Sequence, residues 1–548
     1  MLGSLCILIG SILLAFVCSL LLVTSLLFAL GLSLSWFVVP LAGLMAAAFG
    51  SWVAGQYFKT SRTYAFFLAF GISLVAFSVF ALLNSEIYEA SWDGETYHAE
   101  AIVQLTNGWN PFRQAPPGEA VFPTYLSFFP KGPWIWAAAL YKFSGSFESG
   151  KAFHLTLILT CFLFSFGALD SLQKISRRWI LWLSLLMAIN PVSASQMFTY
   201  YVDGQLSSLL VIATGLLILM DRRPDRILTV ALAMVVILTI NVKLTGALYI
   251  AIMAAGYAIW YLGAKRERRF ELAFWLIGAG LVGGILVGFN PYITQFFDKF
   301  ITTGNPFDPY ANWRSVIVVE SDTIFPSHMG HIERLLVSIF SKSEITPSIR
   351  LKVPFTFSSE EIEAFGFPDV RIGGLGPLFG GALLLSLAVL GLLFWKYRGQ
   401  LQETVGLLVV TGLIVLSALS FSEAWWARFA PQIWMLPVAV TVMGILIIHT
   451  GGKQAALIHA LLISLSVNSM LICLPYLLST YRQHLRTADQ LAVFKSQTEP
   501  VPVTLNNFAG IRYRFQREGV RYVEVESLPC AKDKQMRVAR TGAFVCVR

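Results

Sequence analysis

Charge is what this chain has least of. Asp, Glu, Lys and Arg make up only 13% of its 548 residues, against about a quarter in a water-soluble domain. Hydrophobic residues reach 56% and the mean hydropathy is +0.67, so most of the chain is solvated by lipid. That excludes a cytosolic enzyme, a disordered chain and, despite a net charge of +9, a nucleic-acid binder. Cysteine is also scarce, and six residues are too few for a disulfide framework in a chain this long. No internal repeat is visible, which weighs against transporter folds built from duplicated halves.

What is abundant is long apolar runs. A helical span needs roughly 20 mainly apolar residues, and the sequence predicts thirteen spans. They lie at 4–28, 34–55, 64–84, 152–170, 179–195, 204–220, 227–240, 244–262, 272–290, 374–395, 405–421, 432–449 and 454–478. The opening run is too long for a cleaved signal peptide and reads as two spans hinged near Pro40. Basic residues then fall on every second connection: Lys59/Arg62, Lys174/Arg177/Arg178, Arg222/Arg223/Arg226, Lys265/Arg266/Arg268/Arg269, Lys396/Arg398 and Lys453. The positive-inside rule places these loops in the cytoplasm, with the N-terminus inside and the C-terminus outside. The expected division is a two-helix hairpin (1–63), a transmembrane core (64–480) with external loops 85–151 and 291–373, and an external C-terminal domain (481–548).

The tail reads as a small β-rich unit, from the alternation in IRYRF (511–515), RYVEVE (521–526) and QMRVAR (535–540). It holds twelve Lys/Arg against six Asp/Glu, a balance that suits an acidic acceptor or anionic headgroups. Cys530 and Cys546 lie in it; a disulfide there would contribute about 3 kcal/mol, and two free thiols are the alternative. Cys6, Cys18, Cys161 and Cys473 sit within spans, where packing is the expected role.

Chemistry is expected where polar residues meet the external interface. Asp93 follows the third span within a few residues. After it, Thr96 to Leu105 has the pattern of an amphipathic helix lying along the membrane surface, ended by Gly108 and Asn110–Pro111. A carboxylate held there can act as general base on an acceptor hydroxyl, or merely cap the helix. Glu95 suits a first-turn acid complementing the helix dipole, and His98 an interfacial hydrogen-bonded residue or a ligand.

External cations are rarer still. Lys131 stands between two prolines in FFPKGP, Lys243 lies in the turn between the seventh and eighth spans, and Arg428 follows a Trp pair. Each is a candidate phosphate ligand or a snorkelling anchor. Asp203, after two tyrosines, and Glu423 are candidate sugar-binding acids or helix caps. His328 and His331 have metal-compatible spacing but no cysteine or carboxylate in register.

WDGETYH, followed by NGWNPF and FFPKGPWIWAAALYKFSG, resembles the first periplasmic loop of the GT-C superfamily of integral-membrane glycosyltransferases. NP (190–191) leading to QMFTYYVDG (196–204), NVKLTG (241–246), FNPYITQFF (289–297), GNPFDP (304–309) and EAWWARFAPQIWMLP (423–437) continue the likeness over residues 64–437. The resemblance implies an all-α polytopic fold and a polyprenyl-phosphate-linked sugar donor, as in dolichyl- or undecaprenyl-phosphate mannosyl- and aminoarabinose-transferases. It puts the catalytic Asp at Asp93 and an acidic residue at Asp203; Glu95, His98, Lys131, Asp203, Lys243, Glu423 and Arg428 stand as substrate-binding candidates by their place at the external interface. It departs from many relatives in placing this loop after the third span rather than the first.

The expected activity is inverting transfer of a sugar to a hydroxyl of a lipid, glycan or protein at the outer face of a bacterial inner membrane. No metal ligand is predicted; a divalent Mg or Mn is left open as the one cofactor. Three other readings remain: an oligosaccharide ligase or polymerase with a diphosphate-linked donor, a lipid or solute transporter, and a structural or sensory membrane protein with a periplasmic tail.

Overall fold

The computed structural model describes residues 1–118, 120–288, 323–346, 348–448 and 454–547. Motifs FNPYITQFF and GNPFDP, and Lys453, lie outside the described residues. The helices in chain order are α1 (Leu2–Ala29), α2 (Val38–Tyr57), α3 (Arg62–Glu86), α4 (Ala99–Thr106), α5 (Pro123–Phe128), α6 (Gly132–Ser144) and α7 (Ala152–Ser171). Next come α8 (Arg177–Ala188), α9 (Pro191–Gln196), α10 (Asp203–Arg222), α11 (Arg226–Val242), α12 (Leu244–Gly263) and α13 (Arg269–Gly288). Then follow α14 (His331–Ile339), α15 (Ser359–Ala364), α16 (Phe379–Lys396), α17 (Val405–Leu419), α18 (Met435–Ile448), α19 (Ala455–Lys495) and α20 (Ala509–Glu518).

Among the described residues, ten helices are long and apolar enough to cross a membrane, with two shorter apolar ones at α11 and α17. The chain is a polytopic, mostly helical membrane protein. Each of the thirteen expected spans coincides with helix over most of its described residues. The fifth is broken, because Asn190 and Pro191 end α8 and start α9. There the Asn190 side chain accepts a hydrogen bond from the Ser193 backbone N–H at 3.0 Å, a cap that satisfies an otherwise orphan donor. Between the first two spans, Gly31 adopts φ +83°. The chain therefore turns there, and Pro40 lies inside the first turn of α2, where its missing N–H costs no hydrogen bond.

Burial sorts the helices into centre and rim. The apolar stretch of α10 is 94% buried and that of α3 only 11%. Polar small residues on α10 (Ser207, Ser208, Thr214) let it pack tightly against α7 and α11, whereas α3 turns Phe67, Val75 and Leu82 outward. One end of the bundle gathers the basic loops with their acids: Arg266 to Asp221 at 2.9 Å, Arg226 to Glu271 at 3.2 Å, and the Tyr57 hydroxyl to Asp225 at 2.7 Å. The C-terminal domain docks at the opposite end.

That domain holds a four-stranded sheet of order β2-β1-β4-β3, with β1 Val501–Thr504, β2 Tyr522–Glu524, β3 Gln535–Arg537 and β4 Phe544–Cys546. β1 runs parallel to β2 and antiparallel to β4. Cys530 and Cys546 are joined by a disulfide. One expected strand is corrected. Residues 511–515 lie in α20, because Ile511, Arg514 and Phe515 are all buried. That is an i, i+3, i+4 spacing, proper to a helix face, which short alternation imitates. Val503, Val545 and Phe515 close the core beneath the sheet with Phe494, from the end of α19. Helix α19 spans 41 residues and runs on past residue 480 into this domain.

Candidate active site

Asp93 enters the site from a turn of unusual winding. Residues Gly94–His98 form one π-helical turn with Thr96 at φ −99°, ψ −110°, a local irregularity of the kind that often marks functional sites. The Asp93 side chain caps no backbone N–H. Its carboxylate instead accepts from Arg428 Nη2 at 2.8 Å. Helix α4 follows, and it is buried on both faces, with Glu100 accepting from the backbone N–H groups of Val121 and Phe122. The surface helix expected at 96–105 is thus covered by protein, since α6 and α20 pack against it.

Arg428 is the hub. Its Nε lies 2.9 Å from Asp203 Oδ2 and its Nη1 3.1 Å from Asp369 Oδ2. Lys243 pairs with the other oxygen of Asp203 and sits 4.1 Å over the Phe429 ring. The guanidinium also lies 4.7 Å over Tyr201, a cation–π contact. Burial works against its charge, but Asp203, Asp93 and Asp369 together outweigh it and hold the guanidinium firmly protonated. Asp369 is pushed up by burial and held back by Arg428 and the Trp426 N–H, which donates to it at 2.8 Å.

Five residues from five separate connections, all assigned by loop charge to one face of the bilayer, therefore meet around one guanidinium. Three carboxylates face two cations. Each carboxylate directs an oxygen at Arg428 rather than at a common point, so the set does not fit a divalent cation as it stands. No group of three or more metal-ligating side chains occurs among the described residues. His328 and His331 are exposed and apart from the cluster.

A small cavity of about 80 Å³ opens beside the hub, lined by Tyr97, His98, Trp134, Lys243, Arg428 and Phe429 among others. It has room for a few waters, not for a sugar. His98 Nδ1 accepts from the Trp134 indole at 2.6 Å. Burial lowers the imidazole to about 4 against the pull of Asp93 and Asp203, so it is neutral. With Nδ1 accepting, Nε2 carries the hydrogen, and this buried nitrogen has no partner among the described residues.

The remaining candidates are drawn elsewhere. Lys131 is buried and donates to the Phe129 and Ser127 carbonyls at 2.5 and 3.2 Å, holding its own loop. Glu423 accepts from the Trp425 indole at 2.6 Å and from the Ser422 hydroxyl at 3.3 Å. Glu95 points away into a second buried cluster, where it pairs with Arg514 of α20. Arg514 also donates to the Glu89 carbonyl at 2.7 Å and lies 3.7 Å from Glu148, which pairs with Lys151 at 2.7 Å. This cluster fastens the C-terminal domain to the loop bearing Asp93.

Asp369 and Arg514 escaped sequence reasoning. Asp369 is one acid among several in its loop, with Glu360, Glu361 and Glu363 close by, and no local pattern singles it out. Arg514 was hidden by the strand-like alternation around it.

No protein-family model matches the sequence, and no curated protein does. Among solved structures the chain is similar to ArnT from Cupriavidus metallidurans bound to undecaprenyl phosphate. Identity is 15% over 89% of this chain and 98% of that one, at a TM-score of 0.34. A likeness of that size decides nothing about chemistry, which rests on the geometry around Arg428.

Proposed function

We propose that the chain is a membrane glycosyltransferase. It would move a sugar from a polyprenyl-phosphate donor to an acceptor hydroxyl at the outer face of a bacterial inner membrane. The observation that carries the reading is the Asp93–Arg428–Asp203–Lys243 constellation at the end of the bundle. It joins a carboxylate free of capping duty, through Arg428, to a cavity lined by both cations and by a His98 N–H that has no partner among the described residues.

The chemistry needs few parts. The acceptor oxygen attacks the anomeric carbon, the bond from that carbon to the phosphate oxygen breaks, and the phosphate leaves with the electron pair. Asp93 takes the acceptor's proton as general base. Lys243 and Arg428 stabilise the charge gathering on the leaving phosphate. Direct displacement inverts the anomeric centre.

The charge balance sets the order of events. Three carboxylates already surround Arg428, so an incoming phosphate displaces one of them. Displacing Asp93 frees it to meet the acceptor hydroxyl, which links donor binding to base activation. The cavity also has to widen to admit the sugar, and His98 Nε2 is placed to donate to one of its oxygens.

The test is Asp93→Asn in membranes supplied with polyprenyl-phosphate sugar. The amide keeps an oxygen that can accept from Arg428. Transfer is expected to fall at least about 100-fold, the usual worth of a general base. A rate near that of the unaltered protein would overturn the assignment.

A further inference from the structure

A second site lies on the exit path of the last helix, away from the Arg428 cluster. Along α19, Val467, Met470, Leu471, Leu474 and Leu478 are followed by Arg482 and Arg486. Their spacing of three and four puts them on one helical face. The apolar part covers eleven residue steps, about 16 Å at 1.5 Å per residue, which matches half of a bilayer core about 30 Å thick. Met470, Leu474 and Leu478 are more than half exposed.

This face forms one wall of a groove of about 530 Å³. The opposite wall is Ile362, Glu363 and Gly366, from α15 and the turn after it, and Arg540 of the C-terminal domain closes the top. Arg540 is anchored there, donating to the Gly366 carbonyl at 2.9 Å and to Ser479 Oγ at 2.7 Å. Arg482 and Arg486 are exposed and form no ion pair with any described residue. Three guanidiniums thus face one carboxylate, Glu363. Burial first, and then the neighbouring Arg486, pull Arg540 below its ordinary range, against Tyr476.

An apolar trough one leaflet deep, rimmed by guanidiniums that form no ion pair with any described residue, has the two halves of one ligand class. We infer that the groove binds a membrane lipid carrying an anionic phosphate head, its chain along Val467–Leu478 and its phosphate under Arg482, Arg486 and Arg540. Arginine suits this role because its planar fork grips phosphate oxygens in pairs. The wall at Gly366 belongs to the segment that leads, three residues on, to Asp369. An occupied groove therefore braces the segment holding one of the Arg428 carboxylates. The inference does not depend on the transfer reading.

The test is lipid binding by the full-length protein in detergent, followed by native mass spectrometry with dioleoyl phosphatidic acid, dioleoyl phosphatidylcholine or inorganic phosphate. Phosphatidic acid is expected to bind at least about tenfold more tightly than phosphatidylcholine (a tenfold ratio is 1.4 kcal/mol). Arg482→Gln/Arg486→Gln should erase that preference; neither side chain holds the fold, so the variant remains assembled. Leu474→Trp, which fills the trough and leaves the arginines intact, should weaken binding as well. Millimolar inorganic phosphate should leave the lipid in place. Equal affinity for the two lipids, an unaffected double variant, an unaffected Leu474→Trp, or displacement by inorganic phosphate would each overturn the inference.

Discussion

Removing the Arg514 guanidinium should loosen the C-terminal domain from the rest of the molecule. The Arg514 side chain is 4% exposed and Glu95, its partner, 2%. With Glu89, Glu148 and Lys151 they make a buried set of three carboxylates and two cations. Arg514→Met leaves one cation for three acids, and losing one partner of a buried ion pair costs about 3–5 kcal/mol. The cost depends on pH, and the sign follows from Glu95. Burial, opposed by Arg514 and reinforced by Glu148 and Glu89, raises its carboxyl from 4.5 to about 8. Between those values the folded chain holds a proton that the unfolded chain has released. Its stabilising contribution is complete below 4.5 and is lost as pH rises toward 8, by at most about 1.4 kcal/mol per unit. Glu89, also raised by burial, acts in the same direction. Hydrogen exchange of β1, β4 and α20 in the full-length protein reads the opening free energy directly. Arg514→Met should lower it by about 3–5 kcal/mol at pH 8, where Glu95 ionises, and by less at pH 5, and Glu95→Gln/Arg514→Met should recover part of the loss. A single-variant loss under about 1 kcal/mol, or no recovery in the pair, would refute the ion-cluster account.

Two further outcomes concern local packing. Reducing the Cys530–Cys546 disulfide, which closes a separation of 16 residues, should cost about 3 kcal/mol. The loss should appear in the exchange of β3 and β4 and leave the transmembrane bundle unchanged; uniform loss throughout would contradict it. In Gly132→Ala the added Cβ would lie 2.6 Å from the Asn241 carbonyl, so the turn carrying Lys243 has to shift. Overpacking of this kind costs about 1–3 kcal/mol, read as a lower melting temperature; an unchanged melting point would show that the turn yields freely.

Much of the membrane architecture was legible because the signals are additive and local. A run of apolar residues long enough to cross lipid has few other outcomes, so each expected span coincides with helix over most of its described residues. Loop charge likewise grouped Asp93, Asp203, Lys243 and Arg428 on one side before any contact was known. Reading failed where a pattern was short. IRYRF alternates over five residues, too few to separate strand from helix, and tertiary burial of Ile511, Arg514 and Phe515 decided for helix.

The roles of individual charges needed the folded chain. Asp93 suited a cap or a site equally well by spacing; in the folded chain its carboxylate turns to Arg428 and makes no cap hydrogen bond. Glu95, two residues away, resembles it in sequence yet serves a different cluster, because the π-helical turn points the two side chains apart. Asp369 joins Arg428 across 59 residues of separation, a distance over which sequence carries no pairing signal. Hydrophobicity is a property of each segment and survives being read alone. A charge acquires its role from the partners that burial forces upon it, and only the packed structure supplies those.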